Sequence, residues 1–77
     1  MTKLEVFGTG CPKCQQLAAN AEEAARAAGI EYELIKVTDI NAIAQAGVML
    51  TPALAIDGQI KVAGKVADAA AIQKMLA

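Results

Sequence analysis

Between Lys3 and Val37 the hydrophobic pattern changes period twice, and that switch constrains the fold more than any other feature of the chain. Residues 3–7, Lys-Leu-Glu-Val-Phe, read as a strand that Gly8-Thr9-Gly10 ends. From Cys14 to Ala28 the apolar positions Cys14, Leu17, Ala18, Ala21, Ala25 and Ala28 recur at helical spacing, and Gly29 supplies the stop. Residues 31–37, rich in Ile, Val, Tyr and Leu, read as a second strand. Strand, helix and strand in so short a stretch make a βαβ unit, with parallel strands and a right-handed crossover.

The second half follows a different logic. Thr38-Asp39 can cap a short helix that carries Ile40, Ile43 and Ala44 inward and closes at Gly47. After Thr51-Pro52, the runs Ala53–Ile56 and Ile60–Ala63 flank Asp57-Gly58, the strongest kind of local hairpin signal. Asp68 then caps a last helix with Ile72, Met75 and Leu76 on one face. The expected order is βαβαββα: an α/β chain with a mixed four-stranded sheet flanked by three helices.

At 77 residues the chain has room for one small domain, 1–77. Folding at this size buries only about 60% of the unfolded surface, and a hydrophobic content of 56% suits that demand. Composition also excludes partners. Phe7 and Tyr32 are the only aromatic residues, too few for a base-stacking surface. A net charge of −1 without charge runs gives no hold on a polyanion, so no nucleic-acid partner is expected. Asp57, Lys61 and the glycines break every apolar stretch well short of the ~20 residues of a membrane span. No secretory signal is visible, so a cytoplasmic location is the expectation; a monomer is also expected.

Cys11-Pro12-Lys13-Cys14 falls where the first strand hands over to the first helix. In a reducing compartment such a pair is more often catalytic or metal-binding than a structural staple. Cysteines three apart at a helix start are close enough to bridge. Cys11 would sit at the helix N-terminus, where free N–H groups and the helix dipole favour a thiolate. Cys14, on the apolar stripe with Leu17 and Ala18, would be less exposed and suited to resolving a mixed disulfide. Pro12 fits the first turn, where its missing N–H costs nothing. Lys13 reads as a solvated residue that can modestly favour the Cys11 thiolate. The alternative is a Cys-x-x-Cys metal chaperone or buffer for copper or zinc. Two soft sulfurs can hold Cu(I), but they supply only half of a tetrahedral zinc shell, and the chain has no histidine and no third cysteine.

The strand before Cys-x-x-Cys, the segment Gly47-Val48-Met49-Leu50-Thr51-Pro52-Ala53-Leu54 and the closing hairpin and helix together resemble the thioredoxin/glutaredoxin superfamily over nearly the whole chain. Gly8-Thr9-Gly10-Cys11 is most similar to the small prokaryotic thioredoxin-like, redox-active disulfide proteins. The resemblance implies a thioredoxin-like fold and a thiol–disulfide oxidoreductase with no cofactor beyond the Cys11–Cys14 disulfide. It implies disulfide-containing protein substrates and a separate reductase as electron donor. It implies that Pro52 is cis and stands opposite the sulfurs, and that the Thr51 backbone pairs with a bound peptide. Glu5 occupies the gapless position of the family's buried aspartate, which helps move the resolving cysteine's proton, and Lys36 falls near that aspartate's lysine partner. A plain cross-strand ion pair, or two solvated side chains, is the other reading of Glu5 and Lys36. Met49, beside the site, reads as core or rim filler, contact with an apolar substrate being the other reading. Gly10 and Pro12-Lys13 differ from the Trp and Gly-Pro of ordinary thioredoxins, and Gly64-Lys65-Val66 from the Gly-Gly turn of glutaredoxins.

Overall fold

The computed structural model describes residues 1–76; Ala77, the last residue of the expected domain, lies outside the described residues. The elements are β1 (Thr2–Phe7), α1 (Pro12–Ala28), β2 (Tyr32–Val37), α2 (Ile40–Gln45), β3 (Ala53–Ile56), β4 (Gln59–Ala63) and α3 (Ala69–Leu76). This is the βαβαββα order, and the four strands form one mixed sheet in the order β2-β1-β3-β4. β1 and β2 run parallel, with Leu4 opposite Leu34 and Phe7 opposite Val37. β3 is antiparallel to both β1 and β4. At the β3–β4 turn Asp57 (φ 51°) and Gly58 (φ 84°) both have positive φ, the backbone that a tight two-residue hairpin requires.

Strand alternation divides the core between the two faces of the sheet. Leu4 and Val6 of β1, with Leu54 and Ile56 of β3 and Val62 of β4, pack under α1 and α3. The intervening Phe7, Ala53 and Ala55 belong to a smaller cluster with Ile43 of α2 and Val48. Leu4, Leu17, Leu54 and Ile72 are fully enclosed, each stabilising the fold by about 1.5–3 kcal/mol. Alanines at 18, 21, 24 and 25 let α1 lie close to the sheet and to α3.

Three helical expectations need correction. Ala24 is buried because α1 packs on α3 as well as on the sheet, which widens its covered face, whereas Ala28, beside the Gly29 cap, is exposed. In α2 only Ile43 is buried; Ile40 is 68% exposed and Ala44 is also exposed. Six residues make fewer than two turns, so α2 covers the sheet through one side chain. It starts at Asp39, whose carboxylate accepts the Ala42 N–H at 3.1 Å. It ends on Gly47 (φ 81°), where the N–H groups of Gly47 and Val48 donate to the carbonyls of Ala44 and Ile43. Met49 is no core filler either: it is 92% exposed, on the loop between Gly47 and β3.

Candidate active site

The register gathers four loops at one edge of the sheet. Phe7 pairs with both Val37 and Ala53, and Ala53 pairs with Ala63. The chain leaving β1, the chain leaving β2, the loop entering β3 and the chain leaving β4 therefore share that edge. Cys11, Thr38, Pro52 and Gly64 lie on these four segments.

Cys11 is the residue that opens α1. Its backbone is extended (φ −66°, ψ 161°), Pro12 is the first helical residue, and the Cys11 Sγ accepts the N–H of Cys14 at 3.2 Å. The sulfur thus takes the place that a Ser or Asp oxygen holds at other helix starts. Its carbonyl accepts the Gln15 N–H at 3.0 Å, while the Gln15 side chain donates back to the Gly10 carbonyl at 3.1 Å and ties down the entering loop. Cys11 and Cys14 are joined by a disulfide with a Cα–Cα separation of 5.1 Å, within the ordinary range.

The two sulfurs stand in different surroundings. Cys11 is half-buried, and Cys14 is 5% exposed. Cys14 is enclosed because Gly8 has no side chain: a Cβ there would overlap the Cys14 Sγ and lie 3.1 Å from its Cβ. Gly8, read in the sequence as part of a strand terminator and of the segment that carries the resemblance, is the floor beneath the inner cysteine.

The Thr51–Pro52 peptide bond is cis; Pro52 is buried and Thr51 is exposed. The Pro52 carbonyl accepts the Gly64 N–H at 2.8 Å. Gly64 (φ +75°) also receives Leu50, since a Cβ at Gly64 would meet the Leu50 Cβ at 3.0 Å. A second tie comes from α1: Asn20 donates to the Ala67 carbonyl at 3.0 Å and accepts from Gln16 at 2.8 Å. Local sequence reading had no signal for these long-range partners.

Glu5 and Lys36 are not brought together. Glu5 pairs with Ile35 and Ala55, and so shares the α2 face with Phe7 and Ala55. Lys36 pairs with Val6, on the α1 face, and lines a cavity of about 30 Å³ with Cys14 and Gly8. Neither the expected buried acid behind Cys14 nor a cross-strand Glu5–Lys36 pair is formed, because a one-residue offset in register reverses the face. Pro12 and Lys13 are exposed.

Among the described residues, no group of three or more His, Cys, Asp or Glu side chains is placed to hold a metal ion. Nor is any described helix long and apolar enough to cross a membrane.

Comparison with known proteins agrees with this geometry. The thioredoxin domain family model matches residues 2–77. The chain is 42% identical over 76 residues to a thioredoxin of Methanothermobacter thermautotrophicus, covering 99% of both chains. It is 42% identical over 76 residues to a thioredoxin of Methanocaldococcus jannaschii, covering 99% of this chain and 87% of the relative. An uncharacterised 9.0 kDa protein of Acidithiobacillus ferrooxidans is 38% identical over 61 residues, 75% of this chain and 71% of that one. A Cys-x-x-Cys disulfide at a helix start, on a sheet of this topology and with relatives of this similarity, makes the chain a member of the thioredoxin family and a thiol–disulfide oxidoreductase.

Proposed function

We propose that the chain exchanges its dithiol with the disulfides of other proteins, Cys11 attacking and Cys14 resolving. The observation that carries this division is the unequal exposure of the two sulfurs, with Cys11 at the helix start and Cys14 closed in against Gly8. The Cys11 thiolate attacks one sulfur of the substrate disulfide, a mixed disulfide forms, and the first substrate thiolate leaves. Cys14 then attacks the Cys11 sulfur, the second substrate thiolate leaves, and the Cys11–Cys14 bond closes. Two electrons pass to the substrate, and the two thiol protons end on the released thiols or on water.

The N–H groups opening α1 stabilise negative charge on Cys11 during both steps, as helix N-termini do for anions. Pro12 leaves no N–H wasted at that turn, and Lys13 adds an exposed positive charge nearby. The exposed Thr51 backbone pairs with the substrate chain beside its disulfide, on a loop fixed by the buried Pro52. The dithiol is restored by a separate reductase, and the reaction belongs to the cytoplasm.

Cys14→Ser tests the reading in cell extract. The variant should accumulate protein adducts through Cys11 that a reductant releases, and a Cys11→Ser, Cys14→Ser chain should accumulate none. A Cys14→Ser variant that gathers no adducts while retaining its fold would remove the protein-exchange function.

A further inference from the structure

Two successive carbonyls, those on either side of the Cys11 Cα, both end on Gln15. The Cys11 carbonyl accepts the Gln15 backbone N–H at 3.0 Å, the ordinary first bond of a helix. The Gly10 carbonyl accepts the Gln15 side-chain amide at 3.1 Å, which carries the hold one residue back, past the helix start. A helix often secures its entry through a Glu or Gln at the third helical position, whose side chain accepts the N–H of the capping residue. Here the third position is Cys14, so the residue one further on reaches the chain before the cap. Gly10 has a φ of +91°, and no atom packs where its Cβ would be. The Cys11 sulfur is otherwise held by its bond to Cys14 and by the Cys14 N–H at 3.2 Å.

We propose that Gln15 is a positioning residue for the nucleophile: its side-chain amide keeps Cys11 at the start of α1 when the disulfide is open. The role rests on Cys11 being the attacking thiol, as proposed above. In the oxidised protein the S–S bond itself ties Cys11 to the helix, so the clasp adds little. Once that bond is cleaved, the sulfur can turn away with the loop, and the clasp keeps it beside the Cys14 N–H. A thiolate held there is favoured by the helix N-terminus, and one displaced from it is not. Gln15 therefore stabilises the reduced form more than the oxidised one. The other segments at this edge bring Lys13, Lys36, Asp39 and Lys65, all exposed, and residues 47–52 bring no titratable group. Glu5 of β1 is on the α2 face. Gln15→Met alters none of these.

Gln15→Met removes the donor and keeps the length of the side chain and a good helix former. In reduced protein, peptide mapping after limiting iodoacetamide follows Cys11 as a function of pH. The variant's Cys11 profile should move upward, with labelling below the midpoint slowed about two- to fivefold, as for one exposed hydrogen bond. Equilibration with dithiothreitol should show its disulfide harder to reduce by a similar factor. Denaturant melts should show a larger loss of stability in the reduced protein than in the oxidised one. Gln16→Met, on the neighbouring exposed residue that donates only to Asn20, should leave profile and equilibrium as in the parent. An unchanged Cys11 profile in Gln15→Met, or equal losses of stability in the two redox forms, would overturn the positioning role. Preferential labelling of Cys14 in the parent would instead overturn the attacking role of Cys11.

Discussion

Gly8 lies against Cys14 so closely that a methyl group at position 8 and the Cys14 sulfur cannot occupy their present places together. The last residue before the active-site loop therefore decides where the inner sulfur sits. Gly8 is held in turn by its N–H bond to the Val37 carbonyl at 3.0 Å, so the strand cannot easily give way.

Gly8→Ala should for that reason destabilise the folded chain by about 1–3 kcal/mol, the usual cost of overpacking a filled interior. Denaturant melts of the oxidised and the reduced protein measure it. The variant should also expose Cys14, raising its alkylation rate in the reduced form. Unchanged midpoints and unchanged alkylation would mean that the loop moves aside and that Gly8 sets nothing.

The asymmetry of the thiols gives a second expectation. In reduced protein, limiting iodoacetamide should label Cys11 first, with a rate that rises with pH and inflects below the ~8.5 of free cysteine. Cys14 should label slowly, because burial disfavours its thiolate and shields it. Cys11→Ser should abolish disulfide reduction. Peptide mapping that finds both cysteines equally labelled would reverse or remove the roles assigned to them.

What was legible in the sequence was whatever depends on neighbours along the chain. The period change between Lys3 and Val37, the Asp57-Gly58 turn and the placement of Cys11 before a helix are local, and they were enough for element order and for the cysteine pair. What was not legible depends on register. The family resemblance casts Glu5 and Lys36 as partners, but pairing Val6 with Lys36 puts them on opposite faces. Whether Ile40 is covered depends on how α2 meets the sheet, and the helical pattern of six residues does not carry that information. The roles of Gly8 and Gly64 are set by side chains six and fourteen residues away, so only their being glycine showed beforehand.

Asn20 makes a third case, because it ties the active-site helix to the chain leading into α3. Asn20→Ala removes the bond to the Ala67 carbonyl and should cost about 1 kcal/mol. Gln16→Ala, which removes only an exposed partner of Asn20, should cost much less. Urea midpoints at constant slope compare the two. Equal midpoints for parent and Asn20→Ala would show that water replaces the side chain without loss.

Metal dependence separates redox exchange from metal handling. Dialysis against a chelator should leave the reduction of dithiodipyridine, a small neutral aromatic disulfide, at its original rate, since two thiolates complete only half of a zinc shell. One zinc or copper per chain, or per pair of chains, surviving that dialysis would show instead that Cys11 and Cys14 serve as ligands.

Leu50 and Gly64 provide the last test, and it concerns the loop rather than the sulfurs. Leu50 is 62% exposed, yet its Cβ and Cδ1 press on the place where a Gly64 side chain would begin, at 3.0 and 3.1 Å. Gly64 also has a φ of +75° and donates its N–H to the Pro52 carbonyl at 2.8 Å. Gly64→Ala therefore meets two separate obstacles. The left-handed backbone costs a residue with a Cβ roughly 1–2 kcal/mol, and the contact with Leu50 adds to it. Leu50→Ala leaves the Leu50 Cβ in place but removes the branched end, so it leaves the first obstacle untouched and relieves part of the second. The two substitutions should be non-additive, the pair costing less than the sum of the singles by about 0.5 kcal/mol or more, as expected for residues in contact. Because the same loop carries Thr51 and Pro52, Gly64→Ala should also raise KM for a protein disulfide while sparing the reaction with dithiodipyridine, which needs no backbone pairing. Strict additivity, with KM unchanged, would show that Gly64 serves only its own turn and that Leu50 does not position the loop.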